Sequence, residues 1–178
     1  MVSESVKVQG AGGAGNAGGL PSWAMPARKL DPGRLFAAVT SQRAALGLPP
    51  PAGLDSVSAL GAACAHAVIA AIDAGLEPER EALRGAVIYT LDLLANRAPG
   101  RAVEVRVPPF GAIQCVEGPR HTRGTPPNVV EVDSRTWILL AAGRLTWAEA
   151  VESGSLQASG PRSDLAGYLP LWSPRPPG

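Results

Sequence analysis

Hydrophobic positions change period along this chain, and the changes divide it. Between residues 31 and 97 they recur every three or four residues, the spacing of buried helix faces. Asp31 followed by Pro32 places a capping side chain before a proline at the first helical position, which predicts a helix running to about Gly47. Pro49, Pro50 and Pro51 then form a stiff linker. A second helix is predicted from Asp55 or Ser56, with Val57, Leu60, Cys64, Val68 and Ile72 on one face and Gly75 at its C-terminal cap. A third begins at Pro78. Glu79 and Glu81 favour the positive end of its dipole, Leu83, Val87, Leu91 and Leu94 form its stripe, and Arg97 occupies the last turn before Pro99 and Gly100.

The period then shortens to two. Val103, Val105 and Val107 alternate with Glu104 and Arg106, the pattern of a half-buried strand, which Pro108 and Pro109 end. A second β-rich run covers residues 112–117, a long polar loop covers 118–128, and a third short strand covers 129–132. From Asp133 the reading is helical again. Asp133 or Ser134 caps a short helix carrying Trp137, Ile138, Leu139 and Leu140, closed by Gly143. Thr146 and Glu149 are spaced as a capping box, with Leu145 as the candidate staple residue, and that helix ends at Gly154. Residues 155–159 read as a short strand with Leu156 and Ala158 on one side. Ser163 is the expected cap of a last amphipathic turn with Leu165, Tyr168 and Leu169.

The ends lack such periodicity. Residues 1–28 read as a disordered Gly/Ala-rich arm, and the Pro-rich tail 173–178 reads as loose. Gly10, Gly12 and Gly15 satisfy G-x-G-x-x-G. The run continues into Gly18, Gly19 and Pro21, however, where a dinucleotide site needs a helix.

Composition adds limits. The 178 residues are 46% hydrophobic and 17% charged, enough apolar material for one domain with a helical annex. A net charge of +1 supplies no field to draw in nucleic acid or an anionic membrane. Cys64 and Cys115 are far apart in sequence, which favours free thiols and a reducing, cytoplasmic compartment over a disulfide framework. The longest apolar stretch, residues 62–74, is interrupted by His66 and Asp73 and is too short to span a bilayer.

The candidate chemistry is sparse. His66 and His121 are the only histidines and lie in different segments, so a three-histidine metal site cannot be assembled. His66 sits beside an apolar stripe, where a hydrogen-bonded flank or core residue is the plainer reading. Cys115 lies within a strand, where a thiol behaves as a small hydrophobe, and no nucleophile is spaced with a base. No catalytic residue, metal or cofactor is expected. Within the loop, Arg120, His121, Thr122 and Arg123 gather groups suited to a carboxylate or phosphate. An internal clasp, with Arg120 or Arg123 paired to Glu117 or Glu131, is the plainer reading of them.

Residues 136–160 resemble the end of the sterol carrier protein 2 domain. That pattern has an apolar helix, a Gly-basic-Leu turn (here Gly143, Arg144, Leu145), a second helix carrying Ala150, then Gly154 and a short edge strand ending in Gly160. Residues 101–131 look like a bacterial branch of sterol carrier family proteins, and the resemblance spans about 79–171. It implies an α+β fold in which a curved mixed sheet with helices on one face encloses an apolar tunnel. An N-terminal annex over 29–98 would precede a sterol-carrier-like domain over 99–172. The resemblance also implies Val105, Val107, Phe110, Ile113, Trp137, Leu140, Leu145, Trp147 and Val151 as cavity lining, with Arg120, His121 and Arg123 at the rim. Taken alone, each aromatic or aliphatic residue is better explained as core.

The function so implied is non-enzymatic carriage of a hydrophobic small molecule such as a fatty acid, sterol or other lipid. Nucleic acid is not an expected partner, and contact with a membrane is at most transient. Two alternatives stand beside it. One is an interaction module whose pocket is filled by its own side chains. The other is an accessory domain of a thiol-dependent isomerase-like enzyme, a setting in which the same module occurs.

Overall fold

The computed structural model describes residues 30–118 and 128–173. The expected arm (1–28), the rim residues Arg120, His121 and Arg123, and nearly all of the tail lie outside the described residues. Three helices come first: α1 (Pro32–Ala45), α2 (Val57–Asp73) and α3 (Arg80–Arg97). Strands β1 (Val103–Val107), β2 (Gly111–Cys115) and β3 (Val129–Val132) follow. Then come α4 (Ser134–Ala141), α5 (Trp147–Glu152), β4 (Leu156–Ser159) and a 3-10 turn (Ala166–Tyr168). The class is α+β, with helices packed on a mixed sheet and two further helices preceding it.

Side chains set the helix starts. Asp31 accepts from the Arg34 amide, Ser56 from Ala59 and Glu79 from Ala82. α3 therefore starts at Arg80, two residues later than Pro78, because the Glu79 carboxylate is its cap. Asp133 caps α4, and both capping-box bonds of Thr146 and Glu149 form on α5. Ser163 does not cap the final turn: its hydroxyl donates back to the Gly160 carbonyl at 2.7 Å, while Asp164 accepts from the Ala166 amide.

The sheet order is β2-β1-β3-β4, with β1 antiparallel to β2, parallel to β3, and β3 antiparallel to β4. The end of β2 lies beside the start of β1, Cys115 opposite Val103, so the chain can return directly to begin β3 parallel to β1. β2 stops at Cys115, short of the expected Glu117, because Val116 turns to φ +64. Val116 donates to the Ala98 carbonyl and accepts from the Ala102 amide, at 2.7 and 3.0 Å. Gly100 (φ +148) passes so close that a Cβ there would overlap the Val116 carbonyl.

The helical layer is tightly packed. A Cβ at Gly61 would lie 2.8 Å from Cβ of Tyr89, and one at Gly85 would lie 2.6 Å from Leu35 Cδ2 and 3.1 Å from Cys64 Sγ. These small residues let α1, α2 and α3 approach until their side chains join those of the sheet. One continuous core runs from Leu35 and Val39 through Cys64, Val68, Val87 and Leu94 to Val103, Val130, Trp137 and Leu156. Among the described residues, no helix is long and apolar enough to cross a membrane.

Candidate functional site

Pairing across the sheet places Ile113, Val105, Val130 and Ala158 in one row, with Val107 opposite Gly111 and Val132 opposite Leu156 in neighbouring rows. Because side chains alternate, all of these share one face of the sheet. α3 covers the hairpin corner of that face, and a Cβ at Gly111 would stand 3.3 Å from Leu91 Cδ1. Val105 and Val107 are fully buried and Ile113 is half-buried. Phe110, at the hairpin tip, is half-buried with the Arg80 guanidinium 5.9 Å from its ring centre. Ser134, at the start of α4, donates to the Pro108 carbonyl and ties this hairpin to α4.

On α4, Trp137 and Leu140 are both buried. The Trp137 indole N–H donates to Thr90 Oγ1 at 2.8 Å, and Thr90 donates in turn to the Ala86 or Val87 carbonyl. The chain fixes that ring from both sides of the α3–α4 seam. The remaining expected lining residues lie beyond the glycine-basic-leucine turn. Leu145 and Trp147 are half-buried, Ala150 is buried, and Val151 is 46% exposed. Thus the structure gathers Val105, Val107, Trp137 and Leu140 inside one core. Phe110 and Ile113 stand at its hairpin edge, and Leu145, Trp147 and Val151 at its α5 edge.

Chemically this face offers burial and little else. Cys115 opposes Val103 in the core, and burial pushes its thiol up to about 11. Cys64 is pushed up to about 12, first by burial and second by the nearby Glu79 carboxylate. Among the described residues, no group of three or more His, Cys, Asp or Glu could hold a metal ion. His66 is exposed on α2, its ring 6.5 Å from that of Trp172. An open groove of about 440 Å3 between α1 and the start of α3 is lined by Arg34, Ala37, Ala38, Ser41, Glu79 and Glu81, and contains none of the expected lining residues.

Sequence reasoning did not find Thr90, Glu104 or Trp172. Glu104 alternates onto the polar face of β1, yet it is 1% exposed, with Oε1 accepting from Arg106 Nε at 2.6 Å and Oε2 buried without a partner. Period-two alternation predicts which face a residue takes, but not what covers that face. Thr90 sits in mid-helix, where its only local signal is a hydroxyl on the buried side.

Two comparisons bear on this site. A family model described as a bacterial SCP ortholog matches residues 79–171, from the α3 cap through the 3-10 turn. Among curated proteins, none matches the chain.

Proposed function

We propose, from the premise that this chain belongs to the bacterial SCP ortholog family, that it binds a lipid-like hydrophobic molecule without transforming it. The observation that carries the reading is the match over 79–171, which takes in the apolar sheet face, the α3–α4 seam and the turn into α5. Burial of apolar ligand surface would drive binding at about 25 cal/mol per Å2. The ligand would lie along Phe110, Ile113, Leu145, Trp147 and Val151, the members of the expected lining that keep accessible surface, with Val105, Val107, Trp137 and Leu140 beneath it. The annex helices α1 and α2 would close the far side of the helical layer. Binding in a reducing cytoplasm, with at most transient membrane contact, completes the reading.

Arg120, His121 and Arg123 would anchor an anionic head group. Changing Arg120 or Arg123 to Ala should then weaken a fatty acid by about 1.5–3 kcal/mol and leave a neutral alcohol of equal chain length nearly unaffected. Equal losses for acid and alcohol would remove the head-group role.

A second reading, an interaction module with a self-filled pocket, draws on the full burial of Val105, Val107, Trp137 and Leu140 by neighbouring side chains. Native mass spectrometry of protein purified without detergent separates the two. A carrier yields a species heavier by one apolar molecule that disappears on delipidation. A self-filled module yields only the bare chain mass.

A further inference from the structure

The chain does not end at the last strand. Residues 165–172 turn back across the helical layer, where they touch α2, α3 and α4. Leu165 and Leu171 are buried in the common core. The amides of Leu171 and Trp172 both donate to the Ala141 carbonyl at the end of α4, at 2.8 and 3.4 Å. The Trp172 ring meets His66 on α2 edge-on, with an interplanar angle of 80°. Gly143 (φ +68) leaves room for the Pro170 ring, which a Cβ would approach to 3.2 Å.

One side chain holds the backbone of this segment. Arg97, in the last turn of α3, donates Nη1 to the Tyr168 and Pro170 carbonyls, at 2.9 and 2.5 Å, and Nη2 to the Leu171 carbonyl at 3.1 Å. Arg97 is exposed, so water competes for its bonds to Tyr168 and Pro170, while the bond to Leu171 is part-buried. Its fork geometry suits several carbonyls at once, which a lysine ammonium cannot match as well. The segment carries only one 3-10 turn of regular structure. It also leaves Trp172 Nε1 buried without a hydrogen-bond partner, a cost that local opening removes. Weak internal structure, an exposed clasp and an unpaired buried donor mark a segment that opens locally, below the free energy of global unfolding.

Its position gives the opening a use. On α3, Thr90, Leu94 and Arg97 follow one another at spacings of four and three, and on α4 Trp137 and Ala141 are one turn apart. Trp137 is bonded to Thr90, and Ala141 is bonded to Leu171. The segment therefore closes the end of the seam that contains Trp137 and Leu140.

We propose that residues 165–172 form a strap, latched by Arg97, whose opening admits an apolar ligand past the end of the α3–α4 seam to the face lined by Leu145, Trp147 and Val151. The entrance role rests on the lipid-binding reading above; the latch itself does not. The test uses the full chain, as wild type, Arg97→Ala and Arg97→Lys, with hydrogen exchange and stopped-flow association of cis-parinaric acid. In Arg97→Ala, the Leu171 and Trp172 amides should exchange about tenfold faster while α2 and α3 keep their protection. The association rate of cis-parinaric acid should rise in step, and Arg97→Lys should fall between the other two. Unchanged exchange at Leu171 and Trp172, or a uniform rise along the chain, would overturn the latch. Faster strap exchange with an unaltered association rate would overturn the entrance role. Failure of every variant to bind cis-parinaric acid would contradict the lipid reading and the entrance with it, while the exchange rates still decide the latch.

Discussion

α4 and α5 are separated by a few residues and carry the same kinds of side chain, yet the fold uses them differently. Trp137 and Leu140 on α4 are buried, and the Trp137 indole is bonded to Thr90 across the seam. On α5, only Ala150 is fully buried, Trp147 is half-buried and Val151 is 46% exposed. The difference follows from what each helix packs against. α4 lies against α3 and reaches α2, inside the core, whereas α5 packs on β4, an edge strand of the sheet. An apolar residue between two layers holds the fold together. One at a sheet edge leaves surface that another molecule can cover. In the proposed carrier, α4 is the fixed wall and α5 the wall that a ligand completes.

Charged substitutions should separate the two walls most sharply. Leu140→Asp should leave little folded protein in far-ultraviolet circular dichroism, because an unpaired buried carboxylate costs several kcal/mol against a total stability of about 5–15 kcal/mol. A folded, stable Leu140→Asp would show that α4 is as accessible as α5. Thr90→Val strands the Trp137 indole N–H and should lower stability by about 1–3 kcal/mol in urea denaturation, with no change in ligand contacts at α5. No loss would mean that the indole finds another acceptor.

Alkaline pH tests the sealed core around both walls. The thiols of Cys64 and Cys115 have folded pKa values of about 12 and about 11, above the ordinary 9.0. The folded state therefore retains these protons longer than the unfolded chain. Their contribution is intact below pH 9 and is lost as pH rises toward 11–12, so urea midpoints should fall across that window. At pH 8 a thiol reagent should label neither cysteine faster than the protein opens; rapid labelling would show that one is accessible. The smallest effect on stability belongs to Val151→Asp, expected within about 0.5 kcal/mol of wild type because the side chain is already exposed.

Local rules made the elements legible. Asp31, Ser56, Asp133 and the Thr146–Glu149 pair each announce a helix start that the structure places within a residue or two. Val103, Val105 and Val107 announce the buried face of β1. What stayed hidden depends on contacts distant in sequence. Arg97 reads as a dipole-favouring basic residue in a last turn, and nothing near it signals that its guanidinium holds carbonyls more than seventy residues away. Glu104 reads as solvated, but the fold buries it beside Arg106. Val116 belongs to an apparently continuous β run, and only the close passage of Gly100 shows why the strand ends before it. At the candidate site, sequence could nominate apolar residues without separating those that fill the core from those that face outward. That distinction belongs to how layers stack, which periodicity does not encode.

Equilibrium titration of cis-parinaric acid into delipidated wild-type and Val151→Asp protein tests the central claim most directly. A carrier with an α5 wall predicts saturable fluorescence at one site per chain in wild type, displaced by unlabelled fatty acid. Val151→Asp should lose that signal while remaining as stable as wild type. A signal that never saturates, or identical saturable binding by both proteins, would contradict the account.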